Sequence, residues 1–290
     1  KKKDTTIIKD IQSVSRTTEF RSIAGTKDAI FILAIGNPAM LIRIDKNTLE
    51  ETVVYKEEHE KVFYDSMQFV DDLNGFAMGD PIENCLAFLK TTDGGKTWQK
   101  TTGEHYVLPI NASNAEYACR IPQNSELINQ TSMVADEEGN PYIATYYRPE
   151  GSSVPQYHLI FFNKKWQTQS LGFRKTAFSL SGMGTKKIPI SRPQLIAWKD
   201  KGKLSAMIIF RDEERKNKAS IAIAKNLSQK TWKVQDLAST YVGAWEPSFD
   251  TELWKSRRQL HLFVQPVEQA DGEGKTNTAP QKVQVFEIKL

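Results

Sequence analysis

The feature that most constrains this chain is a succession of short apolar runs, each cut off by turn residues. Ala29–Gly36, Met40–Ile44, Thr52–Tyr55, Phe76–Gly79, Cys85–Lys90, Ser132–Ala135, Tyr142–Tyr146 and Tyr157–Phe162 are rich in Val, Ile, Phe and Tyr. Gln194–Trp198, Leu204–Phe210, Ala219–Ala224, Gln259–Val264 and Lys282–Ile288 continue the series. Runs of roughly 4–8 such residues bounded by turn formers read as strands. The segments between them, such as Asp71-Asp-Leu-Asn-Gly75, Asp136-Glu-Glu-Gly-Asn-Pro141 and Lys199-Asp-Lys-Gly-Lys203, supply glycine for positive φ and Asn or Asp to cap the turn. No stretch holds a 3.6-residue apolar period for three turns, and the charged Arg211–Lys218 reads as a hairpin loop. The pattern predicts an all-β chain.

Composition narrows the function classes. The net charge of +4 over 290 residues is too slight for the concentrated basic face that binds phosphates, so no nucleic-acid partner is expected. The longest apolar runs, Ala29–Ile35 and Met207–Phe210, fall far short of the roughly 20 residues that cross a bilayer, so no membrane insertion is expected. Cys85 and Cys119 are either two buried thiols or one disulfide, which needs an oxidising compartment. His59, His105, His158 and His261 are too scattered for a zinc site. No cofactor is expected; a structural calcium on the acidic turns at Asp136–Glu138 or Asp271–Glu273 stays open, since both also read as plain turns. Gly182-Met-Gly184 lacks the following helix of a phosphate loop.

Lys90-Thr-Thr-Asp-Gly-Gly-Lys-Thr-Trp98 is the strongest local motif, with echoes at Asn163-Lys-Lys-Trp166 and Asn226-Leu-Ser-Gln-Lys-Thr-Trp232, and a weaker relative at Ile44-Asp-Lys-Asn-Thr-Leu49. In each of the three with Trp, an Asn or Asp turn is followed by Lys and then by Trp, which folds back to bury a large apolar surface. This is a structural device rather than chemistry.

Thr91–Trp98 resembles the Asp box of bacterial neuraminidase repeats (BNR), Ser/Thr-x-Asp-x-Gly-x-Thr-Trp, at every fixed position. The resemblance implies a β-propeller, and at about 40–45 residues per blade it implies six or seven four-stranded blades in a single domain, 1–290. It divides along the chain. Phe63–Pro81 and the following box resemble the propellers of photosystem II stability/assembly factors, over residues 1–102. Tyr106–Ile110, Leu127–Met133, Gln156–Leu159, Ile190–Gln194, Phe210–Arg215 and Trp245–Phe249 resemble the BNR propellers related to ulvan and other polysaccharide lyases, over residues 103–290. This second resemblance implies a carbohydrate-active propeller, lyase- or glycosidase-like, that acts on or binds an acidic or deoxy-sugar polysaccharide or oligosaccharide, and an extracytoplasmic location, periplasmic or secreted, with no signal peptide in this chain.

The site expected from this reading lies at strand ends. Arg192, just before the Gln194–Trp198 run, suits a bidentate contact to a uronate carboxylate. Arg211 and Asp212 sit nearest the end of Leu204–Phe210, and Trp245 with Glu246 offers an aromatic platform beside a carboxylate. Eliminative cleavage of a uronate needs a cation, a base and an acid, roles commonly filled by Arg, His and Tyr. The lyase resemblance places Arg192 at the arginine position. The expected histidine positions fall near Asn129–Thr131 and Tyr146–Arg148, where there is no His, and Phe173 and Phe178 stand where a tyrosine is expected. Tyr147 with Arg192 is therefore the expected acid/base pair, and Gln130 and Arg148 are expected to contact substrate. Two other readings stay open: a non-catalytic propeller that binds a glycan or a protein, and a sialidase-like hydrolase. The last rests on Cys119-Arg-Ile-Pro122, which resembles the sialidase Arg-Ile-Pro signature but follows an Asp box instead of preceding the first one.

Overall fold

A computed structural model of the chain describes residues 19–35, 38–57, 64–79, 85–107, 110, 113–128, 131–180, 186–270, 272 and 274–289, with the backbone alone at 19, 57, 64, 65, 85–87, 238 and 240. Of the sequence expectations, Gly36, His59, Phe63, Pro81, Leu108, Pro109, Asn129, Gln130, Gly182–Gly184, Asp271 and Glu273 lie outside the described residues. Contacts divide the chain into two compact units, Lys1–Arg120 and Ile121–Leu290.

The first unit holds two four-stranded antiparallel sheets. In one, β1 (Glu19–Gly25), β2 (Ala29–Ile35), β3 (Ala39–Asp45) and β4 (Glu51–Glu57) follow in sequence order. In the other, β5 (Tyr64–Phe69), β6 (Gly75–Gly79), β7 (Cys85–Thr91) and β8 (Glu116–Arg120) do the same. Strand β2 is apolar on both faces because both are covered. Phe31 and Leu33 pack with Met67, Phe69 and Trp98, while Ile32 and Ala34 pack with Met40 and Ile42. The rings of Phe31 and Phe69 stack at 3.7 Å.

The Thr91–Trp98 turn behaves as its sequence predicts. Asp93 accepts hydrogen bonds from the Thr91 hydroxyl at 2.8 Å, the Thr97 amide at 2.9 Å and the Thr97 hydroxyl at 2.6 Å. Gly95 has φ +87°, and a Cβ there would run into Leu41. The turn thereby delivers Trp98 to the core, edge-on to Tyr55.

The second unit repeats the plan. Strands β9 (Ser132–Ala135), β10 (Pro141–Tyr147), β11 (Gln156–Asn163) and β12 (Lys165–Ser170) form one sheet. Strands β13 (Gln194–Asp200), β14 (Lys203–Asp212), β15 (Lys218–Ala224) and β16 (Lys233–Tyr241) form the next. A seven-residue helix, α1 (Thr251–Arg257), precedes a two-stranded pair, β17 (Leu260–Val264) and β18 (Gln284–Ile288). Side chains alternate across each strand. Tyr142, Ala144, Tyr146, Tyr157 and Leu159 therefore meet Leu195, Ile208 and Phe210 in one core. Ile196, Met207 and Ile209 meet Trp245, Leu260 and Leu262 in the next.

The fold is all-β, built from consecutive four-stranded antiparallel sheets of the kind that make propeller blades. The described residues form four such sheets and one two-stranded pair, short of six or seven. The expected unit of about 40–45 residues per blade is not kept evenly: β7 and β8 are separated by residues 92–115, and β12 and β13 by residues 171–193. Residues 213–215 make a single 3-10 turn within the β14–β15 connection, where a hairpin loop is expected. The helix α1 departs from the all-strand expectation. Asp250 caps it through the Leu253 amide at 2.8 Å, and it buries Trp254.

Candidate functional site

Of the expected residues, Arg192, Arg211 and Glu246 come together at one end of β13 and β14, in the second unit. The segment entering β13 is laced to the end of β14. The Ser191 amide donates to the Arg211 carbonyl at 2.9 Å, and the Arg211 amide donates back to the Ser191 hydroxyl at 2.9 Å. The Tyr157 hydroxyl donates to the Ser191 carbonyl at 2.8 Å. Ser191 and Tyr157 are both buried. These bonds fix the backbone at Arg192, whose amide donates to Glu246 Oε2 at 2.8 Å.

Glu246 joins the two arginines. Its Oε1 lies 3.6 Å from Arg192 Nη1 and 3.9 Å from Arg211 Nη2. Burial pushes the Glu246 carboxyl above the usual carboxylate range, against the pull of the Arg192 amide and the two guanidiniums. Arg211 is itself buried and fastens the neighbouring segment, with Nη1 donating to the carbonyls of Ile188 at 2.8 Å and Pro189 at 3.1 Å. Its Nη2 has no hydrogen-bond partner among the described residues.

Tyr146 packs in the core shared by β10, β11, β13 and β14. Its phenol feels the charges of Arg192, Glu246, Arg211 and Arg174, and its hydroxyl is buried with no hydrogen-bond partner among the described residues. Burial raises it well above the usual tyrosine range, so it stays neutral. Tyr147, the expected acid/base partner of Arg192, points to the opposite face of β10, its ring stacked on His158 at 3.8 Å. Adjacent strand residues face opposite sides, so one of the two had to turn away.

The same alternation separates Arg211 from Asp212. Asp212 faces the other core and pairs with Arg174 from the β12–β13 connection, both side chains fully buried. Burial lifts Asp212 to about 6 in spite of that partner. Glu213 and Glu214 add contacts to Arg174 Nη2 at 3.4 and 3.9 Å. Trp245, expected as a sugar platform, is 3% exposed, and its indole nitrogen donates to the Phe263 carbonyl at 2.9 Å. Its flat faces are spent on the core between β14 and β17, which the sequence alone does not reveal. Arg148 holds loop carbonyls, donating to Ser152 at 3.2 Å and to Asn124. Gln130 lies outside the described residues.

Sequence reasoning missed Tyr146 and Arg174. For Tyr146 the two-residue alternation through Tyr142 and Ala144 marks a shared face, but not what that face meets. For Arg174 there is no local signal. Among the described residues no group of three His, Cys, Asp or Glu is placed to hold a metal ion, and no helix is long and apolar enough to cross a membrane. Asp136 serves its own turn, accepting from the Glu138 and Asn140 amides at 3.0 and 2.9 Å and from the Tyr142 hydroxyl at 3.0 Å.

The class defined by this construction is a repeat protein of blade-like four-stranded sheets. Residues 77–174 match the model of a BNR repeat-containing family member. No curated protein matches the chain. Among solved structures, an ulvan lyase from a new family of polysaccharide lyases superposes with a TM-score of 0.48 at 9% identity, covering 93% of this chain and 64% of that one. The six-bladed fucose lectin of Aleuria aurantia gives 0.42 at 11%, covering 86% and 72%. A prolyl endopeptidase gives 0.44 at 11% identity, covering 86% of this chain and 32% of that one. The chain thus spans about a third of the endopeptidase and under two thirds of the lyase.

Proposed function

We propose that this protein binds an acidic polysaccharide or oligosaccharide at the strand ends of its second unit, in an extracytoplasmic setting. The observation that carries the reading is Glu246 Oε1 standing 3.6 Å from Arg192 Nη1 and 3.9 Å from Arg211 Nη2 at one end of β13 and β14. Arg192 is partly open to solvent, and a guanidinium presents the forked donors that a uronate carboxylate or a sulfate ester matches. The match of residues 77–174 to a BNR repeat-containing family supports a repeat scaffold for such a site.

Binding is favoured over bond cleavage. A general base works best with a pKa near the operating pH. The Tyr146 phenol is held well above that, and Tyr147 packs on His158, whose imidazole burial pushes down to about 4.

The test is affinity electrophoresis of the full chain through gels containing alginate, pectate, dextran sulfate or neutral dextran. Retardation by the acidic polymers, absent with neutral dextran and lost in Arg192→Ala, is the expected result. No retardation by any acidic polymer overturns the reading. The same mixtures, followed by ultraviolet absorbance, report eliminative cleavage, and a steady rise would replace binding with lyase activity.

A further inference from the structure

An acidic side chain at the mouth of an anion site calls for a reason. One oxygen of Glu246 is committed to the Arg192 amide at 2.8 Å. The other stands 3.6 Å and 3.9 Å from the two guanidiniums, longer than the roughly 2.7–2.9 Å of a charge-assisted hydrogen bond. The side chain is 40% exposed while Arg211 is 2% exposed, so the carboxylate lies on the solvent side of a buried cation. Arg211 Nη2, the atom 3.9 Å from Glu246, is buried and makes no hydrogen bond among the described residues. Glu246 balances the charge of both arginines at distances too long for close charge-assisted bonds to their guanidiniums.

We propose that Glu246 is a built-in competitor, occupying the guanidinium pair until the carboxylate or sulfate of a glycan takes its place. Resting on the acidic-glycan reading above, this makes Glu246 the residue that sets selectivity. A neutral sugar brings nothing to exchange for the lost ion contacts, whereas an anionic one replaces them with closer bonds. The charged and titratable groups facing Glu246 are Arg192, Arg211 and the Tyr146 phenol. Guanidiniums do not lose their proton in proteins, and the phenol stays neutral, which leaves Glu246 as the group of this set that changes in the acid range. Protonation removes the competitor, so glycan affinity rises as pH falls.

The experiment measures the affinity of the full chain for dextran sulfate and for alginate at pH 7.5 and pH 5.5, in wild type and Glu246→Gln. Glutamine keeps a carbonyl oxygen for the Arg192 amide and loses the charge. The expected result is binding by Glu246→Gln about 5- to 50-fold tighter at pH 7.5. Its affinity should be flat with pH, while wild type tightens on acidification. Tightening with both polymers means the site takes either anion; tightening with one alone identifies the group it was built for. If wild type binds but Glu246→Gln binds no tighter, the competitor role is overturned and the site stands. If neither protein binds while both melt cooperatively, the site reading falls and the competitor role with it. Should the variant not fold, a flat wild-type pH profile overturns the proposal.

Discussion

Arg174 and Asp212 form an ion pair in which neither side chain is exposed. It fastens the long β12–β13 connection to the end of β14, and its burial lifts Asp212 to about 6. Breaking such a pair from one side leaves a buried charge, at a cost of about 3–5 kcal/mol. Arg174→Met is expected to lose that much at pH 8 and distinctly less at pH 5, where Asp212 takes up a proton. In wild type, an acid whose folded pKa exceeds its unfolded value binds more protons when folded. Its contribution to stability therefore falls as pH rises from about 4 to about 6. Urea unfolding at the two pH values checks this, and equal losses in the variant would contradict it.

His158 pulls the other way. Burial pushes its imidazole from 6.5 down to about 4, so the unfolded chain binds the proton first. Its contribution is complete above about pH 6.5 and is lost as pH falls toward 4, by about 3 kcal/mol in all. The imidazole resonances of His158 should hold their neutral-form shifts from pH 8 to pH 5. A titration midpoint near 6.5 in the folded protein would refute the assignment.

Tyr146 and Tyr147 differ by one position and should differ in kind. Tyr146→Phe deletes a buried hydroxyl that lacks a partner among the described residues, so stability should rise by about 1 kcal/mol. If a glycan or its bridging water uses that hydroxyl, binding should weaken about tenfold in the same variant. Tyr147→Phe keeps the ring stacked on His158 and should leave glycan affinity unchanged. Thermal melts paired with affinity electrophoresis separate the two effects, and a binding loss confined to Tyr147→Phe would reverse the assignment.

Asp93→Ala removes the acceptor for three hydrogen bonds in the Thr91–Trp98 turn. A loss of about 1–3 kcal/mol is expected from the first unit, read as a lower urea midpoint. Tryptophan fluorescence should report Trp98 leaving its contact with Tyr55. An unchanged midpoint would mean that Gly94 and Gly95 hold the turn alone.

The strands legible in the sequence are those covered on one or both faces. Ile, Phe, Tyr and Ala on β2, β10, β14 and β15 announce themselves, because burial demands apolar residues. The strands not read in advance, such as β8, β12 and β16, carry mixed or polar residues over much of their length. Their pairing comes from backbone hydrogen bonds to an already buried neighbour, which leaves little trace in side-chain pattern. The helix α1 is too short for a period to emerge, although Asp250 before Thr251 and Glu252 is a capping signal.

The sequence by itself determined the all-β character and the turn at Thr91–Trp98. Both rest on local chemistry: alternation and turn geometry. Only the tertiary structure decided which residues share the site. Tyr147 stacks on His158, Trp245 goes to the core, and Arg211 and Asp212 part to opposite faces. Neighbours in sequence point apart on a strand. What each one meets depends on the sheet packed against that face, and the identity of that sheet is not written in any local run of residues.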